Sequence, residues 1–263
     1  MLYVNGNEVT PLKFPDGTAS FRFGPSCLHY TIGWQYEGDQ ECMMLWHLVH
    51  HIREYSDTSV CIELTMPYIP NARMDRVKND DEVFTMKWFA EFINSLNFNR
   101  VYVLDAHSNV SLALINRVQQ IDITRYIDLA VTRVGDDVLF CYPDEGAAKR
   151  YQEAFPCDHV FCIKHRRWRD GTIERLELVG ADKVAGKDIL IVDDICSKGG
   201  TFFYTAKALK DAGANRIFLY VTHCENTVLD GEMIKSGLID KIYTTNSIFT
   251  KEHESIEVFD LWT

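Results

Sequence analysis

The chain has 263 residues, 46% of them hydrophobic and 25% charged, with a formal net charge of −11. That length supports one large or two modest domains with real cores, in a composition ordinary for a soluble globular protein. The acidic balance weighs against nonspecific contact with nucleic acid or an anionic membrane, so neither is an expected partner, and an anionic substrate needs a local basic cluster to overcome the global field. No apolar stretch is long enough to span a bilayer, and "MLYVNGNEVTPLKF" lacks a charged region followed by an apolar one, so the expected address is the cytoplasm. Eight cysteines (Cys27, Cys42, Cys61, Cys141, Cys157, Cys162, Cys196 and Cys224) are scattered without a CxxC. In a chain of this size they predict reduced, mostly buried thiols.

In chain order, the first strong element is the helical "CMMLWHLVHHIREY", with His47, His50 and His51 at i, i+3 and i+4. Without a carboxylate motif beside them, these histidines are expected at a packing or subunit surface and not around a metal. The strand-like "SVCIELTMPYI", the helical "VFTMKWFAEFINSLNF" and the strand "RVYVLD" follow, then a helix from Ser108. A domain boundary is placed near 118, giving units 1–118 and 119–263. Beyond it come "DDVLFCYPDEG", the helical "AAKRYQEAF", "HVFCIKHR", "DILIVDD", the helix "GTFFYTAKALKDAGA" and the strand "RIFLYVTHC". Gly213 reads as a helix C-cap. Strands alternating with amphipathic helices predict an α/β protein whose mainly parallel sheets are covered by helices.

The stretch "LIVDDICSKGGTFF" carries the chemistry. In a parallel α/β sheet, ligands sit beyond the carboxyl ends of the strands. Asp193 and Asp194 close a buried strand, and Ser197, Lys198, Gly199, Gly200 and Thr201 lead into the next helix. Such a loop aims backbone N–H groups and a helix N-terminus at an anion. The two glycines permit positive φ and close backbone approach, and Thr201 is expected to cap the helix. Ionised carboxylates are pure acceptors and suit neighbouring sugar hydroxyls, so the loop and the acidic pair together complement a ribose 5-phosphate unit. The competing reading is an Asp pair that merely caps a turn. "GADKVAGKD" is not a Walker A loop, and no GxGxxG occurs. Cys196 inside the loop is taken as a small filler residue in preference to an oxidation-sensitive thiol.

A basic hairpin stands out against the acidic background. In "IKHRRWRDGTIERLEL", Lys164, Arg166, Arg167 and Arg169 precede Asp170–Gly171, a strong turn signal between strand-like segments. The bland reading is a solvated charge run; the functional one is an arm that closes over phosphates.

"VDDICSKGGT" resembles the ribose-phosphate loop of the type I phosphoribosyltransferase fold. Other segments choose within that group. "MPYIPNARMDRV" looks like the "PYxxYARQDR" segment of ribose-phosphate pyrophosphokinases, the phosphoribosyl pyrophosphate (PRPP) synthetases, with Arg73, Asp75 and Arg76 matching. "FTMKWFAEFINSLNFNRVYVLDAHS" is similar to the family's "ITAKLFANLL…RVIALDLHA", which places His107 at a metal-binding histidine. "YPDEG" resembles "PDxG" and carries Asp144 over; "LKFPDGT" resembles "FxDGE" and carries Phe14 and Asp16; "TTNSI" matches a further segment. Each match is weak alone, and the ordered set covers nearly the whole chain.

The resemblance implies two phosphoribosyltransferase-like domains, with the ATP side in 1–118 and the ribose-phosphate loop in 119–263. It implies Mg²⁺-dependent transfer of the diphosphate of ATP to the anomeric hydroxyl of ribose 5-phosphate, with AMP released and Mn²⁺ as a substitute metal. Asp193, Asp194 and Ser197–Thr201 would hold the ribose phosphate, and Phe14, Asp16, Arg73, Asp75 and Arg76 the ATP. His107 and Asp144 would hold the metal, and Lys164 and Arg166 would be catalytic. A homo-oligomer, dimer or hexamer, is implied because the Phe14–Asp16 segment reaches across a subunit interface in the family. Three departures bear on this: Thr18 for the Glu of "FxDGE", Met74 for a Gln, and "SKGGT" for "DTAGT". Lys198 and the second glycine suit a bulkier or more negative 5′ group, so ADP-ribose is an alternative acceptor, a chemistry of phage relatives that would place the chain in a host cytoplasm. A non-catalytic, synthetase-associated regulatory subunit is the alternative of another class.

Overall fold

The computed structural model describes residues 1–56, 59–166 and 173–262. Two compact units divide the chain, Met1–Asp122 and Ile123–Thr263.

The first unit is built on a six-stranded sheet. Strands β1 (Leu2–Val4) and β2 (Asn7–Glu8) form its antiparallel edge, and β3 (Leu12–Lys13) with β4 (Ala19–Ser20) forms a separate two-stranded ribbon. Strand β5 (His29–Trp34) pairs antiparallel with β1 and parallel with β6 (Cys61–Thr65), which continues through β7 (Arg100–Leu104) to β8 (Val118–Ile121). Helices α1 (Gln40–Tyr55), α2 (Thr85–Ser95) and α3 (Asn109–Leu114) are the crossovers that parallel strands require. Helix α1 buries Leu45, Leu48, Val49 and Ile52, the i, i+3, i+4, i+7 stripe visible in the sequence, into a core with Trp34 and Tyr30. Its three histidines share one side of the helix but have different neighbours: His47 and His50 flank Trp46 at ring distances of 5.5 and 4.3 Å, and His51 bonds the Phe23 carbonyl at 2.8 Å. The boundary expected at 118 moves to Asp122 because Val118–Ile121 pairs with β7 and completes this sheet.

The second unit carries helix α4 (Thr124–Val134), strand β9 (Leu139–Tyr142), helix α5 (Glu145–Tyr151), and strands β10 (His159–Arg166) and β11 (Ile173–Val179). Strand β12 (Ile189–Cys196), helix α6 (Gly200–Asp211), strand β13 (Ile217–Cys224), helix α7 (Glu232–Ser236), and strands β14 (Lys241–Thr245) and β15 (Ile256–Phe259) complete it. The sheet order is β11-β10-β9-β12-β13-β14-β15, parallel throughout except for β11 against β10. Every residue of β13 is buried, the mark of a strand covered on both faces. Gly213 follows the α6 C-cap Ala212 at φ +90, as the sequence predicts for the residue that ends the helix.

One difference affects the site. The apolar run stops at Val192, but β12 continues through both aspartates to Cys196, because β13 extends equally far and supplies partners for Asp193 (Val221), Ile195 (His223) and Cys196 (Cys224). Ladder hydrogen bonds outweigh the polar side chains there, so the carboxylates are set in the sheet and not in a loop beyond it.

Candidate active site

In the first unit, the segments after β6 and β7 meet. Asp75 is buried, and the Arg76 guanidinium holds it through Nε–Oδ1 at 2.9 Å and Nη2–Oδ2 at 3.4 Å. Burial alone would raise the Asp75 carboxyl. Hydrogen bonds from Arg76 and Ser108, with the nearby charges of Arg76 and His107, instead bring it below its ordinary value. "NARMDR" and "DAHS", far apart in sequence, therefore form one cluster: Asp75, Arg76, His107 and Ser108. Just before His107, Asp105 is buried at φ +42, a left-handed conformation at the end of β7 that turns the chain toward this cluster. Arg73 and Arg76 are exposed, Arg76 at 72% of its side chain. The Arg76–Asp75 contact is an ion pair at 2.9 Å, so a nucleotide would have to share Arg76 with Asp75.

Phe14 and Asp16 belong to the separate ribbon β3–β4. The Asp16 carboxylate accepts from the Thr18 N–H at 2.9 Å and its hydroxyl at 2.7 Å, which lowers its pKa and closes the turn. Thr18, where the family has Glu, is thus spent on shaping the turn. Phe14 is 46% exposed at the start of that turn. Beside the ribbon lies a cavity of about 370 Å³ between Lys13, Gly17 and Thr18 and the α1 residues Gln40, Met43 and His47.

The second unit gathers the other acidic residues. Asp144 caps α5, its carboxylate accepting from the Ala147 N–H at 2.9 Å. Arg150, two turns along the same helix, reaches Asp194 at 3.0 Å, with the Asp194 carboxylate almost wholly buried. Asp193 accepts from the Asp194 N–H at 2.9 Å. Burial first, and the Asp194 carboxylate second, push Asp193 well above the usual carboxylate range, and the charge of Asp144 adds to this. Asp144, Asp193 and Asp194 thus bring three carboxylates together, with Arg150 on Asp194, a setting that suits a cation or sugar hydroxyl donors.

The loop after β12 is pinned from behind. Gly199 is the N-cap of α6, at φ +76, ψ +17. A Cβ there would lie 2.8 Å from the Met233 side chain, so both conformation and space require glycine. Gly200 has no positive φ and faces open space. Thr201 is not the cap expected from sequence; it lies in the first turn of α6, and the cap has no side chain to offer. That turn leaves the N–H groups of Gly200, Thr201 and Phe202 without intrahelical acceptors, the arrangement an anion uses. Lys198 and Gly200 are exposed, and Ser197 and Thr201 half-buried. Cys196 is buried, its thiol raised by Cys224 and by desolvation, which makes it inert filler.

Two residues escaped the sequence reading. Arg150 carries no motif, and only its place on the helix after Asp144 hints at a partner. Gly231 precedes α7, and a Cβ there would meet the Lys198 carbonyl oxygen at 1.9 Å. Gly231→Ala is therefore expected to cost about 2–3 kcal/mol through overpacking and to push the loop outward. A lower Tm would show it, and an unchanged Tm would mean the loop shifts freely.

Lys164 and Arg166 lie on β10, paired with Leu176 and Ile173 of β11, with a register irregularity between His165 and Arg166. The hairpin expected from sequence is present as two antiparallel strands; Arg167, Arg169 and the Asp170–Gly171 turn lie outside the described residues. The structure thus collects Asp75, Arg76 and His107 in one unit and Asp144, Asp193, Asp194 and the Ser197–Thr201 loop in the other.

Comparison with known proteins bears on this arrangement. Residues 172–260 match the phosphoribosyl synthetase-associated domain. Ribose-phosphate pyrophosphokinase 1 of Listeria monocytogenes is 29% identical over 229 residues, covering 83% of this chain and 69% of that one. The ribose-phosphate pyrophosphokinase of Vibrio cholerae is 31% identical over 194 residues, 71% of this chain and 61% of that one. Over most of its length the chain is thus similar to ribose-phosphate pyrophosphokinases. The crystal structure of phosphoribosylpyrophosphate synthetase from Mycobacterium smegmatis superposes with a TM-score of 0.79 at 17% identity, over 97% of this chain and 86% of that one. The fold is accordingly the one seen in that synthetase, a pair of phosphoribosyltransferase-like domains. Among the described residues no helix is long and apolar enough to cross a membrane.

Proposed function

We propose that the chain transfers the β,γ-diphosphate of ATP to the anomeric hydroxyl of ribose 5-phosphate, releasing AMP. The observation that carries this reading is the carboxylate pair Asp193–Asp194 at the end of β12, next to a glycine loop that opens α6. The Ser197–Thr201 backbone receives the 5-phosphate, and the two aspartates accept from the ribose hydroxyls. In the other unit, Arg73 and Arg76 bind the nucleotide phosphates, with Asp75 orienting Arg76. Phe14 and Asp16 serve the nucleotide base and sugar from an oligomeric neighbour, as the family pattern suggests. Lys164 and Arg166 meet the charge that builds on the β-phosphoryl group.

Magnesium fits these residues: the carboxylates of Asp144, Asp193 and Asp194 crowd one another enough to drive Asp193 upward, which a hard divalent cation would relieve. In the second unit Asp144 and the Asp193–Asp194 pair are the groups that would hold it, and in the first unit His107 is the candidate ligand. When bound, the ion supplies neutralisation of phosphate charge. The protein's own share is positioning, exclusion of water and hydrogen bonding.

A second acceptor, ADP-ribose, is favoured by the open space at Gly200 and the exposed cation of Lys198, which leave room and charge beyond the 5-phosphate. The test is magnesium-dependent AMP formation by the purified chain alone, with ribose 5-phosphate and ADP-ribose compared. AMP with ribose 5-phosphate is the expected result, and higher kcat/KM with ADP-ribose selects the second acceptor. No AMP with either would identify a silent, regulatory member of the family and remove the proposal.

A further inference from the structure

At the amino ends of the parallel strands in the first unit, opposite the ends that lead to Asp75 and His107, three different donor groups converge. His29 opens β5 and Cys61 opens β6, and the two are register partners; Glu63 follows two residues along β6, hence on the same face. One nitrogen, one sulfur and one carboxylate oxygen of the three lie within 4.8 Å of one another, with His29 Nε2 3.3 Å from Glu63 Oε2. None of the three has a part in the diphosphate transfer proposed above.

We infer that His29, Cys61 and Glu63 form a binding site for a thiophilic divalent cation of the zinc type. Imidazole, thiolate and carboxylate are the ligand classes zinc takes, and three protein ligands with a fourth position left to water is a regular zinc arrangement. A tetrahedral ion with bonds of about 2.0–2.3 Å holds its donors roughly 3.5 Å apart; the His29–Glu63 pair is at 3.3 Å and all three donors lie within 4.8 Å. The thiolate discriminates against magnesium, which prefers oxygen and a near-octahedral shell, so the site does not compete for the ion of the acidic cluster. Charge also balances: a thiolate and a carboxylate cancel a divalent ion. Arg100, the register partner of Glu63 on β7, is drawn first to Tyr102 and only then to Glu63 and Cys61. The strands are hydrogen-bonded to each other and the donors are part-buried or exposed, so the scaffold is rigid and the ion has an open approach. Occupancy would fasten β5 to β6 where both strands begin, and would stabilise the folded chain by mass action.

Cobalt(II), added to the untagged, reduced full-length protein, is the probe. One equivalent is expected to produce the thiolate-to-cobalt charge-transfer absorption, and zinc should bleach it by displacement. Cys61→Ser should abolish the band, and His29→Gln and Glu63→Gln should each weaken binding by more than about tenfold, at least what loss of an outer-shell partner costs. Cys157→Ser, which removes an exposed thiol of the other unit, should leave the band unchanged. Should Cys61→Ser fold poorly, alkylation of the wild type mapped by peptide mass replaces it: zinc should protect Cys61 and not Cys157. Absence of the band, its survival in folded Cys61→Ser, or alkylation of Cys61 unaffected by zinc would overturn the site.

Discussion

Lys164→Ala is expected to lower kcat by roughly 10²-fold or more, the range for losing a preorganised charge donor, with little change in Tm. The reason lies in the reaction class. Phosphoryl-type transfer offers the protein little covalent chemistry, so rate comes from holding the partners in line and countering the charge that builds on the migrating group. In a chain of net charge −11, the proposed function assigns to the cations on β10 the task of meeting the anionic reactants. Lys164 pairs with Leu176 in the β10–β11 hairpin at one end of the sheet order, so truncating its side chain should not unfold the unit. The irregularity between His165 and Arg166 means that two-residue spacing does not by itself put Lys164 and Arg166 on one face. Steady-state assays at saturating substrates check this: a fall in kcat with KM retained marks a contact made in the transition state. Near wild-type turnover would remove the arm from the mechanism.

Asp193→Asn should move stability and activity in opposite directions. Burial and the Asp194 carboxylate raise the folded pKa of Asp193 above its unfolded value. Between those two values the folded state binds the extra proton, so stability declines as pH rises through that interval and stays lower above it. Asparagine removes the penalty and keeps an oxygen to accept from the Asp194 N–H. The variant should melt higher than wild type at neutral pH, and the difference should vanish below the ordinary carboxylate range, where both residues are neutral. Activity should fall, because a carboxylate is lost from the sugar hydroxyls and from any cation there. A loss of about 3–4 kcal/mol, within the range for a buried charged partner, corresponds to roughly 10²–10³-fold in kcat/KM. Thermal melts across pH, paired with kinetics, test both halves. A variant less stable at neutral pH, yet fully active, would contradict the role given to Asp193.

How much of this was legible in the sequence depended on whether a feature was local. The alternation of strands and helices, the glycine loop and the basic hairpin could be read because periodicity and turn chemistry are written in neighbouring residues. The extension of β12 through Asp193 and Asp194 could not, since a partner strand decides it. The cap of α6 was misassigned to Thr201 because hydroxyl residues usually take that place, whereas Met233 leaves room only for a glycine at 199. The Asp75 cluster was half visible: both segments stood out, but their meeting through Ser108 and His107 depends on the turns after β6 and β7. Arg150 had no local signal, because its partner Asp194 lies 44 residues away on another element.

The crowding of Gly231 against the Lys198 carbonyl and of Gly199 against Met233 divides the five-residue turn into fixed and free positions. The rear is fixed by contact with the chain leading into α7, while the side chain of residue 198 and the α-carbon of residue 200 look outward. If the loop holds the acceptor as proposed, preference can drift, or be redesigned, at those two places without disturbing the scaffold that presents the backbone amides.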